Sequence, residues 1–170
     1  VYQGSMGDRN MLGDIFSSNT VDAVLHFGSY INVQESVENP GKYYENNVNG
    51  GLSLLEAMRE AEIKRIVFSS SCATYGIPEV FGPISEQTPQ NPINPYGETK
   101  LIFERMLGWY RKLHGFQPAI FRYFNAAGAG FGLGEDHRVE THLIPNILKV
   151  ALGTAQIVEV YGNDYPTADG

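Results

Sequence analysis

Three short apolar segments, separated by two long amphipathic stretches, constrain the fold of this sequence more than any other feature. They are residues 21–27, 65–70 and 118–124. Short continuous apolar runs are typical of buried parallel strands, and parallel strands require a long crossover that is usually helical. The order therefore predicts an α/β fold, a Rossmann-like parallel sheet with helices on both faces.

Hydrophobic periodicity predicts a helix in each crossover. The first runs from Pro40 to about Ala61, and the second runs from Tyr96 to His114, where Gly115 ends it. After the third strand, the sequence predicts a glycine-containing loop, a short helix and a short strand, at residues 125–140, 143–152 and 157–161.

Charge and cysteine content exclude some classes of function. Lys and Arg number 12 against 19 Asp and Glu, a net charge of -7, which argues against a general nucleic-acid surface. No apolar run approaches the ~20 residues that span a bilayer, so no membrane partner is expected. Cys72 is the only cysteine, which excludes an internal disulfide and favours a reducing, cytoplasmic location.

The sequence begins without Met and ends in a polar turn, and we expect an internal fragment of a longer chain.

The carboxyl ends of the predicted strands are where a parallel sheet binds ligands. Each end carries small or polar residues: Phe27-Gly28-Ser29, Ser69-Ser70-Ser71 and Phe124-Asn125. The second crossover helix begins with Tyr96-Gly97-Glu98-Thr99-Lys100. Residues four apart share a helix face, so an ammonium would lie near a phenol and lower its pKa from near ~10. Such a phenol can take a proton from a hydroxyl group, and Ser71, which both donates and accepts, can hold that proton in between.

Other polar residues have simpler interpretations. We interpret His26 as a buried structural residue and Cys72 as packing, because no neighbouring base or cation activates its thiol. Asn46, Asn47 and Asn49 lie within four positions of a predicted helix, and asparagine is a poor helix former, so we expect some of them to hydrogen-bond elsewhere. His137 and His142 lack the spacing of metal ligands, and no metal site is predicted.

A series of motifs in fixed order resembles the UDP-glucose 4-epimerases, which belong to the extended short-chain dehydrogenase/reductase family. The resemblance covers nearly the whole chain, and the order and spacing of its motifs make it more specific than any one of them. The motifs span residues 26–36, 43–50, 69–76, 95–100, 122–129, 142–145 and 161–170.

The resemblance implies an NAD-dependent enzyme that inverts C4 of a UDP-sugar, and it implies roles for individual residues. Tyr96 would be the base and acid on the 4-hydroxyl, Lys100 would bind the nicotinamide ribose, and Ser71 would bridge Tyr96 and the substrate. The other implied cofactor residues are Phe27, Gly28, Ser29, Asn46 and Phe124. The other implied substrate residues are Asn125, His142, Val160 and Tyr161.

The resemblance also implies domains and partners. Residues 1–124 would form part of the NAD-binding domain, without its first βαβ unit, and residues 125–170 the start of the UDP-sugar domain. The full-length protein would be a homodimer that packs the Pro40–Ala61 and Tyr96–His114 helices against their mates. The family's glycine-rich turn is absent from this sequence, and its adenine-side aspartate aligns with Ser5.

Alternative functions stay open at this point. Acetylated and glucuronate forms of the sugar nucleotide are alternative substrates, and a non-catalytic nucleotide-binding module is an alternative class. A sugar-nucleotide dehydratase is disfavoured, because Cys72-Ala73 follows Ser71 where that class carries an Asp-Glu pair.

Overall fold

The structure, a computed structural model, describes residues 1–79, 82–134, 136–137, 140, 142–160 and 162–164. The chain divides into two compact units, Val1–Phe124 and Asn125–Gly170. The first unit contains helices α1 (Arg9–Ser18), α2 (Val33–Glu38), α3 (Pro40–Tyr43), α4 (Gly51–Glu60) and α5 (Pro95–His114), and strands β1 (Val24–His26), β2 (Arg65–Ser71) and β3 (Gln117–Tyr123). The second unit contains helix α6 (Leu143–Ala151).

The three strands form one parallel sheet in the order β1-β2-β3. The register pairs Leu25 with Val67, and Val67 with Ala119. The parallel, Rossmann-like sheet predicted from the apolar segments is therefore confirmed. The sheet brings the end of β2 beside the end of β3, since Ser71 pairs with Tyr123.

One face of the sheet carries the hydrophobic core. Ile66 and Phe68 point from β2 into a cluster with side chains of α1, α4 and α5. Fully buried members include Leu55 and Met58 from α4 and Leu107 from α5. A fully buried aliphatic side chain contributes about 1.5–3 kcal/mol, so this layer accounts for much of the unit's stability.

The opposite face of the sheet is uncovered by the described part of the first unit. Its side chains include Leu25, Phe121 and Tyr123, which are 64%, 50% and 43% exposed. The sequence predicted helices on both faces, but α4 and α5 lie on the same one. The reason is topological: successive crossovers of the same hand, between strands in the order β1-β2-β3, place their helices on one side.

The predicted helix over residues 40–61 forms, but its middle is not α-helical. Residues Tyr44–Gly50 form a π-helix between α3 and α4. Such wide turns are rare and occur often at functional sites. This one contains Asn46 and Asn47, the poor helix formers noted in the sequence. Helices α1 and α2 were missed at the sequence level, although Asp8 and Asn32 cap them through their side chains.

The second predicted helix forms and ends at His114 as predicted, but it begins at Pro95, one residue before its predicted start. Asn94 accepts a hydrogen bond from the Gly97 amide, Pro95 occupies the first turn, and Gly115 ends the helix with φ of 71°. In the second unit, α6 confirms the predicted short helix. The predicted strand at 157–161 was wrong for residues 157–160, which are in no strand, and Tyr161 lies outside the described residues. Among the described residues, no helix has the length and apolar character to cross a bilayer.

Candidate active site

The side chain of Lys100 reaches from α5 to the carboxyl ends of two neighbouring strands. Its Nζ donates to Ser29 Oγ at 3.0 Å, in the loop after β1, and to the Ser69 carbonyl at 2.7 Å, in β2. Lys100 is 3% exposed, and burial lowers the pKa of its ammonium to about 8. A protonated amine has three donors, and two of them have partners among the described residues.

Tyr96 lies one helical turn before Lys100 and is also buried. Burial raises the pKa of its phenol, the neighbouring Ser71 side chain lowers it, and the net direction is upward. The sequence-based expectation that Lys100 lowers this pKa is therefore wrong for this structure. Lys100 Nζ lies 5.8 Å from the centroid of the Tyr96 ring and is engaged by Ser29 and Ser69.

Ser71 ends β2 and begins a short 3-10 helix, Cys72–Thr74. Its Oγ accepts a hydrogen bond from the Ala73 amide at 3.2 Å, and Thr74 donates to its carbonyl at 3.0 Å. The 3-10 helix packs directly on the start of α5. A Cβ on Gly97 would lie 2.5 Å from the Ala73 carbonyl oxygen, so only glycine permits this approach. Ser71 and Tyr96 are held together by that close packing.

Glu104 is a buried charged residue that the sequence interpretation missed. Its carboxylate accepts from Nε and Nη2 of Arg122 at 3.1 and 2.7 Å, from Gln90 at 3.0 Å and from the Ser70 hydroxyl. Arg122 also donates to the Tyr75 hydroxyl at 2.8 Å. Glu104 raises the pKa of Arg122. The network ties α5 to the ends of β2 and β3. No local pattern in the sequence signals this network, because Ser70, Gln90 and Arg122 lie 34, 14 and 18 residues from Glu104.

The loop after β1 holds three predicted cofactor residues. Phe27 and Gly28 are exposed, whereas Ser29 is half-buried and is the one that contacts Lys100. Asn46 is half-buried and donates to Asn47 Oδ1 at 2.9 Å. Phe124 is 55% exposed and stacks with the Tyr75 ring at 6.3 Å.

Asn47, rather than Asn46, is the buried asparagine of the π-helix. Its Oδ1 accepts from the Tyr30 amide at 2.9 Å, and its Nδ2 donates to the Tyr30 carbonyl and to Thr99 Oγ1, both at 3.1 Å. The expectation that some of these asparagines bond outside their helix is confirmed. Asn47 fixes the loop after β1 against the helix that carries Tyr96 and Lys100.

His26 is buried, as predicted for a structural residue. It stacks on Phe68 at 5.3 Å and meets Phe103 edge-on at 5.0 Å. Burial, and secondarily the charge of Lys100, lower its pKa to about 4. Its Nε2 is buried without a hydrogen-bond partner among the described residues. The imidazole is therefore neutral at physiological pH.

The remaining predicted substrate residues belong to the second unit. Asn125 and Val160 are exposed, and Tyr161 lies outside the described residues. His142 caps the start of α6, and its Nδ1 lies 2.7 Å from Glu140 Oε1. Their roles toward a substrate stay predictions.

Three residues of the second unit lie close enough to hold a cation. The ligand atoms of His137, Glu140 and His142 lie within 4.8 Å of one another. Spacing along the chain had argued against a metal site here, but the fold brings these side chains together. That argument therefore fails, and the prediction of no metal stays untested.

The model of the NAD-dependent epimerase/dehydratase family matches residues 1–168 of this chain. Among characterised proteins, the UDP-glucose 4-epimerase of Lactobacillus helveticus is 52% identical over 171 residues, which cover 99% of this chain and 52% of that protein. The chain spans about half the length of the curated relatives it matches.

Two crystal structures show the same similarity in three dimensions. The UDP-glucose 4-epimerase of Brucella ovis, in complex with NAD, has a TM-score of 0.91 and 48% identity, covering 99% of this chain and 52% of that one. The enzyme of Bifidobacterium longum, in complex with NAD+ and UDP, has a TM-score of 0.89 and 39% identity, with coverage of 99% and 51%.

Proposed function

Because the chain belongs to the NAD-dependent epimerase/dehydratase family, we propose that the protein containing it interconverts UDP-glucose and UDP-galactose. The observation that carries this proposal is the convergence of Tyr96, Lys100 and Ser71 at the carboxyl ends of neighbouring parallel strands. A phenol with a serine partner and a buried ammonium one turn away is suited to proton exchange with a sugar hydroxyl.

The chemistry divides between cofactor and protein. NAD, when bound, would supply reversible hydride transfer at C4 of the sugar, the chemistry that inversion of this centre needs. Tyr96 takes the proton of the 4-hydroxyl and gives it back. Ser71 holds the sugar oxygen against the phenol, and its own orientation is fixed by the Ala73 amide. Since the pKa of Tyr96 is raised, the base form is scarce at neutral pH, and turnover should increase as pH rises.

The residues present fit the nicotinamide end of NAD. Lys100 has one ammonium donor beyond its two partners, which suits a ribose hydroxyl. Phe27 and Gly28 are exposed beside the half-buried Ser29 in the loop after β1, where backbone can approach a diphosphate. Asn46 and Phe124 complete the proposed cofactor set. We assign residues 1–124 to the NAD-binding domain on these grounds.

Residues of the second unit are proposed to contribute to recognition of the UDP-sugar. Asn125, His142, Val160 and Tyr161 are its proposed contacts, and residues 125–170 are the proposed start of the sugar-nucleotide domain. Replacing His142 by Ala in the full-length protein should raise KM for the UDP-sugar and leave NAD content unchanged. Equal KM values for variant and wild type would remove His142 from this set.

The decisive experiment is Tyr96→Phe in the full-length protein, assayed with UDP-glucose, UDP-N-acetylglucosamine and UDP-glucuronate. The phenylalanine variant should retain NAD and nucleotide binding and lose at least about 10²-fold in kcat, in line with loss of a proton-transfer group. Full activity would refute Tyr96 as the base. If the wild-type protein acts instead on a different one of these sugar nucleotides, the substrate assignment changes. If it acts on none of the three, a non-catalytic binding module is favoured.

We propose a homodimer in a reducing compartment such as the cytoplasm. Helix α5 exposes Trp109 and Leu113, which are 59% and 65% exposed and lie four residues apart on one face. Large apolar residues grouped on a surface are typical of an interface. Trp109→Glu should convert the full-length protein to a monomer in sedimentation. A wild-type monomer would exclude the dimer. The single cysteine is free, as a reducing compartment permits.

A further inference from the structure

The backbone of Tyr96 is held by two buried polar side chains, one of which comes from a different helix. Tyr96 is the second residue of α5, where an amide has no partner within the helix. Asn94 supplies an acceptor to the Gly97 amide, and Pro95 has no amide hydrogen. The Tyr96 amide instead donates to Ser36 Oγ at 3.2 Å, across 60 residues of sequence.

Ser36 is well suited to this contact because its hydroxyl has a fixed direction. It is completely buried, and its proton is donated to the Val33 carbonyl at 2.6 Å. The oxygen lone pairs are thereby left for the Tyr96 amide.

Helix α2, which carries Ser36, is itself anchored. The buried Tyr43 hydroxyl lies 2.6 Å from the Asn32 carbonyl and 2.9 Å from the Glu35 carboxylate, at the start of that helix. Ser36 therefore lies on a helix whose first turn is anchored by the hydrogen bonds of Tyr43.

The carbonyl of Tyr96 is also fixed. Thr99 Oγ1 donates to it at 2.8 Å and accepts from Asn47 Nδ2 at 3.1 Å. Thr99 and Asn47 are 0% and 3% exposed. Amide and carbonyl of one residue are thus each held by a buried side chain, which fixes where the phenol projects.

We propose that Ser36 is a positioning residue for the reaction: it holds the Tyr96 backbone so that the phenol meets Ser71 and the substrate hydroxyl. This rests on the proposed epimerase activity. Because reacting groups displaced by ~1 Å can lose 10²-fold in rate, loss of the Ser36 acceptor affects the chemical step rather than substrate binding.

The test uses the full-length protein with Ser36→Ala, Ser36→Thr and Tyr110→Phe. Tyr110 lies on the same helix as Tyr96 but far from it, and Tyr110→Phe removes a 2.7 Å hydrogen bond to Glu56. This variant therefore controls for a general weakening of α5. Ser36→Ala should lower kcat ~10- to 100-fold with KM within about twofold. Ser36→Thr, which keeps the acceptor, should restore most of kcat, and Tyr110→Phe should leave it unchanged.

Hydrogen–deuterium exchange, read at the Tyr96 amide by mass spectrometry, tests the contact without reference to activity. Wild type and Ser36→Thr should protect this amide, and Ser36→Ala should speed its exchange at least about tenfold. An unprotected Tyr96 amide in wild type overturns the proposal, even if Ser36→Ala does not fold. So does an unchanged kcat in Ser36→Ala. Protection without any epimerase activity in wild type would instead refute the proposed function and leave the backbone contact standing.

Discussion

The ammonium of Lys100 donates a hydrogen bond to Ser29, 71 residues earlier in the chain, at 3.0 Å. This contact joins the loop after β1 to α5, and it brings a charge into a site that is almost closed to water. Burial of the Lys100 ammonium therefore lowers the stability of the folded protein. Functional sites commonly trade stability for such arrangements.

The first prediction follows from the lowered pKa of Lys100, about 8 in the folded protein against 10.5 for an exposed lysine. Between these values the unfolded chain binds a proton that the folded chain does not, so the free energy of unfolding rises with pH. The contribution is on the order of 3 kcal/mol across that window. Lys100→Met should abolish it.

The measurement is urea unfolding at pH values from 7 to 10.5, taken as wild type minus variant. The difference is needed because Tyr43 and Tyr110, whose pKa values are raised to about 12, lower stability above pH 10 in both proteins. Parallel pH curves for wild type and Lys100→Met would contradict the prediction.

The second prediction concerns His26, whose pKa is lowered from 6.5 to about 4. The unfolded chain takes up a proton as pH falls below 6.5, while the folded chain resists until about pH 4, so stability falls over this range. The loss is on the order of 3 kcal/mol. His26→Phe, which keeps an aromatic ring beside Phe68 and Phe103, should flatten this part of the curve.

Thermal unfolding of wild type and His26→Phe between pH 7 and 4 checks this. Glu56, whose pKa is lowered to about 2, contributes below pH 4.5 in both proteins and cancels in the difference. If the two proteins lose stability equally between pH 6.5 and 5, the neutral, buried state of His26 is excluded.

The third prediction concerns the contact between Gly97 and the Ala73 carbonyl. A methyl group on Gly97 would lie 2.5 Å from that backbone oxygen, so α5 must move away from the 3-10 helix that follows Ser71. Gly97→Ala should destabilise the protein by about 1–3 kcal/mol and reduce kcat at least ~10-fold.

Gly13→Ala in α1 is the matched control, since nothing lies within 4 Å of its added methyl group. It should keep full activity and gain about 0.5–1 kcal/mol, because alanine is a better helix former. Stability and kcat of Gly97→Ala equal to those of Gly13→Ala would show that the close approach is unimportant.

The fourth prediction concerns the ion pair of Glu104 with Arg122, whose side chains are 5% and 21% exposed. Glu104→Gln leaves a mostly buried guanidinium without its carboxylate, which should cost about 3–5 kcal/mol. Glu62→Gln is the control: Glu62 also forms an ion pair, with Lys64, but it is exposed. Exposed pairs contribute little, so chemical denaturation should separate the two variants clearly. A small, equal effect of both would contradict the structural role of Glu104.

The sequence by itself predicted the parallel sheet, the long helix that ends at His114 and a set of candidate site residues. Apolar runs, helical periodicity and the terminal Gly115 are local signals, and each acts over a few residues. The four-residue spacing of Tyr96 and Lys100 likewise follows from helix geometry alone.

Only the tertiary structure decided how those residues act. The direction in which the Tyr96 pKa shifts depends on burial and on neighbours such as Ser71. Asn47, rather than Asn46, is the asparagine that joins two segments, because it bonds to Tyr30 and Thr99. The position of α4 and α5 on the same face of the sheet follows from the handedness of two crossovers. Each of these features depends on how segments distant in sequence are arranged in space. A pattern within one segment contains no information about its distant neighbours.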